Sequence, residues 1–454
     1  MSWTSGAQPR DAKTPPASAD VLLVSRSPLW PADKGFRVHG SQMALALRNR
    51  GYRVAISCIR DHEPGHPPSE PPPALSHMLH PWPEASAQHF DEMRRAWSGP
   101  AAPLRRKLMD YRGVDPFETA GVLELADRLR PRVVLALDRL GPAALRTLRL
   151  RDNIARLWYA ADEGAYFHLS CMTREPWHRW PGCLRDAVVL AVQERAFGAI
   201  GDGRFGVIGV HPRDTRLLAR ATGTPRPRAA TIRNGVDLDA FSPRRCPETR
   251  NHPSADPKPD PRSLVFWGRL DFPPNVDAAV WLARGLMPTL LERFRDARLR
   301  LVGRGANEAV HQLAHLPGVE LVGPVDDLRA EALRSSTVMM PMRCGGGIKN
   351  KLLEAAAMGL PIVATRKAVD GLTWDASNPP FALADGMGET ALAIQSLWQD
   401  LHRSRELGQL ARRWVETHHT WAHAAEQLVD LAERCLGEPW PAEVTRTTAV
   451  RAAA

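Results

Sequence analysis

Apolar and polar positions along the chain form blocks that predict short buried strands separated by amphipathic helices. VLLVS (21–25) is typical of a buried strand, VHGSQMALALRNRG of a helix ending at Gly51, and YRVAISCI of the next strand. Strand, helix and strand in this order form the building unit of a parallel sheet. The same reasoning predicts a helix at DAVVLAVQERAFGAI and strands at RVVLAL (132–137), ARLWYA (155–160), FGVIGV (205–210) and AATIR (229–233).

The second half of the chain repeats this alternation without interruption. Strands are predicted at SLVFWG, ARLRLVG, VELVG, TVMMPM and PIVAT, and a helical pattern follows each of the first four. Alternation at spacings that allow right-handed crossovers predicts a doubly wound α/β domain with a parallel sheet. HHTWAHAAEQLVDLAERCL (418–436) predicts a final long helix.

Segments rich in proline divide the chain. Residues 1–19 predict a disordered tail, because their Pro, Ser and Ala content cannot offset the entropy of ordering. Residues 61–83 predict a loop, and residues 244–262, with five prolines and no hydrophobic period, predict an interdomain linker. A chain of 454 residues exceeds the length at which one core keeps growing. We therefore expect one α/β domain at 20–243, a second at 263–415, and a C-terminal helix and tail at 416–454.

Composition narrows the class of protein. No apolar run reaches the roughly 18 residues of a membrane span, and the N-terminus lacks the layout of a secretion signal, so we expect a cytoplasmic protein. The six cysteines are scattered without CxxC or zinc spacing, which favours free thiols. The net charge of +10 comes from arginines spread along the whole chain, so no nucleic-acid partner is predicted. The charge is compatible with peripheral contact with an anionic membrane.

The segment RCGGGIKNKLLEAAAMGLPIVAT (343–365) carries the most specific chemistry. Its glycines let the backbone approach a ligand, and the helix beginning near Lys349 turns unpaired amides toward the same place. Lys349 and Lys351, two of only seven lysines in the chain, suit phosphate oxygens. Glu354, one turn into the helix, suits the vicinal hydroxyls of a sugar. The pattern predicts a site for a ligand with phosphate and ribose; the alternative is a glycine-rich turn with solvated lysines.

Three other positions are candidates for the same cleft. Arg269 directly follows the strand SLVFWG, so its guanidinium is expected to project over the carboxyl edge of the sheet, unless it is an ordinary surface arginine. Gly303 follows another strand in LVGRGAN, a pattern that any tight turn also produces. Gly35, in DKGFR, precedes the first helix and offers a second helix N-terminus, or serves turn geometry alone.

Acidic residues occur at two further strand ends. Asp237 and Asp239 form a DxD motif, which in another context holds a divalent metal. Because they follow an Asn-Gly turn, we expect them to cap local structure and predict no metal site. Asp162, Glu163 and His168 follow ARLWYA as acceptor-side candidates, with ordinary loop polarity as the alternative.

These segments resemble the glycosyltransferase family 4 group of GT-B enzymes, in the branch of polysaccharide biosynthesis with a G-x-G-I-K-N-K-x-L-E-A-x-A-M-G motif. The matching pieces run in order between residues 231 and 428: TIRNGVDLDAFSP, VFWGRLDFPPNVDAAVWL, LRLVGRG, VELVGPVDDL, GGGIKNKLLEAAAMGLPIVAT and HHTWAHAAEQL. In the first half the resemblance rests on DKGFR and two helical segments. It implies a GT-B fold, in which two Rossmann-like domains face each other across a cleft.

The resemblance implies a retaining glycosyltransferase with a nucleotide-diphosphate sugar as co-substrate and no metal or other cofactor. The first domain would bind a saccharide, lipid-linked or small-molecule acceptor, and the final helix would cross back to that domain. Arg269 would neutralise the diphosphate, and Glu354 would bind the ribose. The other implied donor-binding positions are Gly35, Gly268, Gly303, Val325, Gly346, Gly347, Ile348, Asn350 and Leu353.

The chain departs from the family pattern at three places. The first acid of the common E-x7-E pair is Gly346, and the lysine usually found five residues after the arginine is Pro274. From charge balance, we expect Lys349 or Lys351 to replace that lysine. The H-x-H of the first domain appears as two leucines followed by Asp138. Asp138 is therefore only a further acceptor-side candidate, and no catalytic role can be transferred to it.

Two alternatives to a transferase remain open. The same scaffold serves sugar-nucleotide epimerases and hydrolases, which need no acceptor. The missing acid and lysine also fit a non-catalytic protein that binds nucleotide sugars as a scaffold. A dinucleotide oxidoreductase is disfavoured, since neither VLLVSRSPLW nor LVGRGANEAV contains a full G-x-G-x-x-G.

Overall fold

A computed structural model describes residues 18–31, 35–59, 70–83, 87–96, 120–137, 148–160, 164–198, 203–243 and 259–440, together with positions 103 and 145. Most of the predicted N-terminal tail (1–17) and most of the predicted linker (244–258) lie outside the described residues. So do residues 61–69 of the predicted loop and the C-terminal tail from 441 onward.

The described part of the first domain contains a six-stranded parallel sheet with the order β2-β1-β3-β4-β5-β6. The first five strands are buried along their whole length and mainly apolar, with buried Arg156 as a charged exception, as a parallel sheet covered on both faces favours. The strands are β1 (Val21–Ser25), β2 (Val54–Cys58), β3 (Val133–Leu137), β4 (Ala155–Ala160), β5 (Phe205–Gly209) and β6 (Ala229–Thr231).

Helices cover both faces of this sheet and create two hydrophobic cores. The helices are α1 (Gly35–Asn49), α2 (Pro73–Ser76), α3 (Ala87–Ala96), α4 (Ala120–Leu129), α5 (Gly164–Met172), α6 (Trp180–Gly198) and α7 (Pro212–Thr222). Helix α7 shows how local sequence sets the boundaries of an element. The His211 side chain accepts a hydrogen bond from the Arg213 amide at its start, and Gly223 ends it in the left-handed conformation.

The second domain contains a six-stranded parallel sheet among its described residues, with the order β12-β11-β10-β7-β8-β9. The chain leaves β7, runs outward through β8 and β9, and returns to β10 on the other side of β7. This reversal creates the crevice in which ligands of doubly wound domains bind. The strands are β7 (Asp260–Trp267), β8 (Arg298–Val302), β9 (Val319–Gly323), β10 (Ser335–Met340), β11 (Ile362–Ala364) and β12 (Ala382–Leu383).

The helices of the second domain enclose one large core. A π-helical turn (Trp281–Leu286) joins α8 to α9, and a 3-10 turn (Gln312–His315) follows α10. The helices are α8 (Pro273–Val280), α9 (Met287–Arg293), α10 (Glu308–His311), α11 (Leu328–Ala332), α12 (Asn350–Ala357), α13 (Met387–Gln399), α14 (Leu401–His418) and α15 (Trp421–Leu436).

Helix α15 leaves the second domain and packs in the core of the first, against α1, β4 and β5. Beyond it, Trp440 is fully buried, and its ring centroid lies 4.4 Å from that of Tyr52. The Tyr52 hydroxyl also donates to the Trp440 carbonyl oxygen at 2.7 Å. The end of the described chain therefore completes the first domain.

Polar contacts join the two domains beside this crossing. Arg213 of α7 forms an ion pair with Asp370, and the Lys367 ammonium donates to the Tyr166 hydroxyl at 2.9 Å. The Arg233 guanidinium donates to the carbonyl oxygen of Gly371 at 3.0 Å. These contacts hold the domains across a cleft.

The predicted fold class, two parallel doubly wound domains facing each other, is confirmed. Within the described part of the chain, no helix has both the length and the apolar character that crossing a bilayer requires.

Candidate active site

A cavity of about 680 Å³ lies between the two domains, near the carboxyl ends of β7, β8 and β10. The first domain contributes Gly35, Val38 and Phe167 to its wall, and Phe241 comes from the segment that leaves β6. The second domain supplies the rest: Trp267, Gly268, Arg269, Phe272, Pro274, Asn275, Val302, Gly303, Arg304, Pro324, Val325, Leu328, Met342, Gly345, Gly346, Ile348, Lys349, Asn350, Lys351 and Glu354.

The glycine-rich loop after β10 leads into the N-terminus of α12. Gly345 and Gly347 have φ values of 96° and 61°, which favour glycine. Lys349 is the N-cap residue of α12, and its side chain makes no capping hydrogen bond. Instead, its ammonium donates to the carbonyl oxygen of Gly346. Since Lys349 and Asn350 line the cavity, the positive end of the helix dipole lies at its wall.

A second helix N-terminus reaches the cavity from the first domain. Gly35 is the first residue of α1, and Val38 lies in the same turn. A Cβ atom added at Gly35 would meet nothing within 4 Å, so the space beside this backbone is open. Two helix N-termini from different domains therefore meet at one cavity, an arrangement that favours an anionic ligand.

Arg269 stands at the rim of the cavity, two residues beyond β7. Its Nε donates to Oδ1 of Asp271 at 3.0 Å, and its Nη2 donates to Oδ2 at 2.7 Å. These hydrogen bonds hold the pKa of Asp271 below its usual value. With 44 % of its side chain exposed, Arg269 is oriented by the pair and still accessible to a ligand.

Lys351 connects α12 with the loop after β7. Its Nζ donates to Oδ1 of Asn275 at 2.6 Å and lies 4.3 Å from the centroid of the Phe266 ring. Nδ2 of Asn275 in turn donates to the backbone oxygen of Arg269 at 2.8 Å. The lysine and the arginine loop are therefore held by the same asparagine.

Glu354 lies one turn beyond the start of α12, and its Oε2 accepts a hydrogen bond from Nε1 of Trp267 at 2.8 Å. Burial raises the pKa of Glu354, against the effects of the Trp267 hydrogen bond and the Lys351 charge. Burial also lowers the pKa of Lys351 to about 7, with Glu354 opposing and Lys349 adding to the shift. An anion bound beside Lys351 would favour its charged form.

Two glycines form the floor where β7 and β8 end. Gly303 has a φ of 143°, and a Cβ atom there would lie 1.8 Å from the backbone oxygen of Gly268. Gly268 has a φ of 147° and donates to the Val302 carbonyl oxygen at 3.0 Å. The backbones of Gly268 and Gly303 are therefore in direct contact. A residue with a side chain would be strained at either position.

The first-domain wall is apolar where it faces the second domain. The rings of Phe167 and Phe272 stack across the cleft with centroids 5.6 Å apart. Next to them, Oγ of Ser170 accepts a hydrogen bond from the Gly345 amide at 3.1 Å. The thiols of Cys171 and Cys344 are buried at the same contact, and their interaction lowers the pKa of Cys171 and raises that of Cys344. Helix α5 is thus joined to the glycine-rich loop.

The structure brings together most of the candidate residues from the sequence. Gly347 belongs to the glycine-rich loop but is not part of the cavity wall. The Leu353 side chain is fully buried in the core and is not part of the cavity wall. The wall includes Arg269, Lys349, Lys351, Gly35, Gly268, Gly303, Val325, Gly346, Ile348, Asn350 and Glu354.

The acceptor-side candidates Asp138, Asp162 and Glu163 lie outside the described residues. Asp237, of the DxD motif, accepts hydrogen bonds from the amides of Asp239 and Ala240, as expected of a turn cap. Among the residues that the structure describes, no cluster of three or more His, Cys, Asp or Glu side chains is suited to hold a metal ion.

Four of the wall residues that were not singled out from the sequence make specific contacts at the site. Trp267, Phe272 and Asn275 fall inside the FWGRLDFPPN segment, where only the arginine carried a recognisable chemical role. Phe167 falls in WYAADEGAYFH, where the neighbouring acids were the acceptor-side candidates. Their roles depend on partners distant in the chain, which local patterns do not reveal.

The two-domain architecture is that of the GT-B glycosyltransferases. Sucrose-phosphate synthase from Thermosynechococcus elongatus superposes with a TM-score of 0.62 at 18 % identity, over 92 % of this chain and 99 % of that one. Anabaena HepE in complex with UDP and glucose superposes with a TM-score of 0.56 at 15 % identity, over 90 % and 98 %. Likenesses at these identities establish the fold.

Residues 261–400, which lie in the second domain, match the family model for glycosyl transferases group 1. The phosphatidyl-myo-inositol mannosyltransferase of Mycolicibacterium smegmatis is 34 % identical over 248 residues, 51 % of this chain and 58 % of that protein. A GDP-mannose-dependent alpha-(1-6)-phosphatidylinositol monomannoside mannosyltransferase of Mycobacterium tuberculosis is 28 % identical over 259 residues, 53 % of this chain and 65 % of that protein. The chain therefore spans about 60 % of the length of these relatives.

Proposed function

We propose that this protein is a retaining glycosyltransferase that moves a sugar from a nucleotide-diphosphate donor to a lipid-linked or saccharide acceptor. The observation that carries the proposal is the meeting of two helix N-termini with Arg269, Lys349 and Lys351 at one cavity of about 680 Å³. The cavity is large enough for a nucleotide sugar. The positively charged side chains among these groups all belong to the second-domain wall, which suits a diphosphate.

The donor would lie along the second-domain wall. Its diphosphate would accept hydrogen bonds from the first turn of α12 and from Arg269, with Gly35 approaching from the other side. Its ribose hydroxyls would contact Glu354, whose carboxylate is already oriented by Trp267. The order of these groups along the wall matches the order of phosphate and ribose in a nucleotide.

Lys351 would supply the charge that the family pattern places at position 274. The supporting contact is the hydrogen bond of its ammonium to Asn275, the residue next to Pro274. The positive charge would thus come from α12 instead of from the start of α8. We propose that this replacement, with Lys349 and Arg269, lets the transferase work without a metal ion.

In the proposed reaction, the bond between the anomeric carbon and the β-phosphate oxygen breaks as the acceptor oxygen forms a bond on the same face. The negative charge that develops on the departing diphosphate is stabilised by Arg269 and the two lysines. Each preorganised donor of this kind contributes on the order of 3 kcal/mol. The acceptor proton passes to a departing phosphate oxygen, which balances the transfer.

The first substrates that we propose to test are those stated in the names of the relatives. A mannose donor carried by GDP and a phosphoinositol-type lipid acceptor are the substrates that their names state. A lipid-linked acceptor would bring the protein to the inner surface of a membrane as a peripheral protein. Other bases, sugars and acceptors form the comparison set of the test.

The test has two stages. Purified protein is first heated with GDP, UDP, ADP and CMP, and the nucleotide of the natural donor should raise the melting temperature by mass action. The matching nucleotide sugar is then incubated with phosphatidylinositol, with free saccharides, and without acceptor, and products are identified by mass spectrometry. Glu354→Ala should weaken both responses strongly, whereas Arg262→Ala, at an exposed ion pair with Asp296 away from the cavity, should keep both.

A glycosylated acceptor with retained anomeric configuration supports the proposal. Hydrolysed or epimerised donor as the sole product would instead indicate a hydrolase or epimerase. Nucleotide binding without turnover of any acceptor would indicate a binding protein, and inversion of configuration would overturn the proposed mechanism.

A further inference from the structure

Helix α6 carries an apolar face that is open to solvent. Residues at four-residue spacing advance by about 40° around a helix axis, so four of them stay on one side. Trp177, in the 3-10 turn just before α6, is 78 % exposed, and the four helix residues are between 41 and 54 % exposed. We define the exposed apolar stripe as these five residues and one neighbour on α5: Leu169, Trp177, Trp180, Leu184, Val188 and Val192.

A neighbouring side of α6 attaches the helix to the domain. Ala187 and Leu190 are buried, and the helix packs against α5 and α7. Beside this contact, 41 to 54 % of each helix residue of the stripe stays open to solvent. Contiguous exposed apolar surface of this kind marks a binding site for a protein or a membrane.

Arginines border the exposed apolar stripe. The side chains of Arg179 and Arg185 are 64 % and 65 % exposed, whereas their partners Glu175 and Asp186 are 14 % and 27 % exposed. Arg174 is also exposed. Because the cations extend further into solvent than the acids that pair with them, the border suits an anionic surface.

We propose that the exposed apolar stripe docks the protein on a bilayer that contains anionic phospholipid. The two tryptophans suit the headgroup region, the leucines and valines suit the acyl boundary, and the arginines suit lipid phosphates. A second copy of the chain fits this surface less well. Six side chains are far fewer than the roughly 20 to 30 residues that each partner brings to a standard protein interface.

The position of the stripe deepens the proposed function, on which this step rests. Helix α5 carries Leu169 of the stripe, Phe167 of the cavity wall and Ser170, which contacts the glycine-rich loop. A bilayer seated on the stripe would lie beside the first-domain wall. A lipid-linked acceptor in that bilayer would thus reach the cavity without leaving the membrane.

Vesicle flotation of the full chain tests the docking without donor or acceptor. Wild-type protein should float with vesicles of phosphatidylcholine and phosphatidylglycerol and much less with phosphatidylcholine alone. The double variant Trp177→Ser/Trp180→Ser should reduce the partition coefficient at least about tenfold, because two large side chains no longer insert. Arg179→Ser/Arg185→Ser should reduce binding to the anionic vesicles only.

Leu392→Ser is the control, since Leu392 is an exposed apolar residue, at 66 %, on α13 of the second domain and outside the stripe. It should float like the wild type. Equal melting temperatures and equal nucleotide-induced shifts show that the variants are folded. Unchanged flotation of the tryptophan variant, no flotation of the wild type, or a wild-type dimer that this variant dissociates would overturn the proposal. Flotation with no transferase activity would separate membrane docking from the proposed function.

Discussion

The two walls of the cleft differ in what they bring to it. The second-domain wall carries Arg269, Lys349, Lys351 and Glu354, whereas the described first-domain wall offers Gly35, Val38 and Phe167, with no charged side chain among the three. The first wall therefore contributes a helix dipole, an aromatic ring and shape. In the proposed function, recognition of the diphosphate and ribose would therefore belong mainly to one domain. Substitutions on the two walls should consequently differ in size and in kind.

The largest effect is expected at Arg269. Arg269→Ala should lower turnover on the order of 100-fold, because a preorganised donor to the departing diphosphate is lost. Donor affinity should fall much less, and steady-state kinetics with a saturating donor separate the two. Arg262→Ala, which removes an arginine from an exposed pair, should match the wild type. Normal turnover in Arg269→Ala would remove this residue from the mechanism.

The next effect concerns Glu354 and donor affinity. Glu354→Ala should weaken nucleotide binding roughly 10- to 100-fold, since a charged hydrogen-bond acceptor is removed. It also leaves the Trp267 indole N–H without its acceptor. Glu354→Gln retains an oxygen for Trp267, so it should recover stability more than affinity. Calorimetric titration together with thermal unfolding measures both, and recovery of full affinity in the glutamine variant would contradict the ribose contact.

A pH dependence should arise from Lys351, whose pKa is lowered to about 7. Below this pH the free protein already carries the charge, so binding of the diphosphate takes up no proton. Above it, binding must recruit a proton, and the dissociation constant should rise by up to tenfold per pH unit. Burial is the main cause of this lowered pKa, with the Glu354 charge opposing it and the Lys349 charge adding to it.

Titration of nucleotide affinity between pH 6.5 and about 8.5 measures this slope. Lys351→Arg, which stays charged throughout this range, should flatten it. An equal slope in the arginine variant would assign the proton to another group.

The smallest effect is expected on the first-domain wall. Phe167→Ala removes the stack with Phe272, which should cost about 0.5 to 1.5 kcal/mol of the contact across the cleft. Nucleotide affinity should change little, while the fraction of donor lost to water should rise a few-fold. A double-mutant cycle with Phe272→Ala measures the coupling, and additive effects would show that the stack does not hold the cleft.

The fold was predictable where burial leaves a strong pattern. The strand at 155–160 was predicted with its observed bounds, because five of its six residues are apolar, as is typical of a strand in a covered parallel sheet. Helix α14 was not predicted, because its buried positions include Ser404 and Gly408. Gly408 permits a close approach to the Gly359 backbone, where an added Cβ would lie 2.1 Å from the carbonyl oxygen. Close backbone packing leaves a faint hydrophobic pattern.

The candidate site was predictable as a list of residues and less so as an arrangement. The start of α12 was expected near Lys349, because a glycine-rich loop after a strand favours a helix N-terminus. The contact of Lys351 with Asn275 spans 76 positions, and that of Trp267 with Glu354 spans 87. Resemblance alone could not tell that Leu353 faces the core while Glu354 faces the cavity, because neighbouring residues of a helix point about 100° apart.

The crossing of α15 into the first domain has a consequence for synthesis of the chain. Trp421 and Trp440 belong to the hydrophobic core that α1 and β1 begin some four hundred positions earlier. A nascent chain on the ribosome can complete the second domain first, since that domain closes on a contiguous stretch. The earlier domain must wait, incompletely packed, until the codons for residues 421–440 are translated. A premature stop codon ahead of residue 421 should therefore damage the half of the protein that was made first.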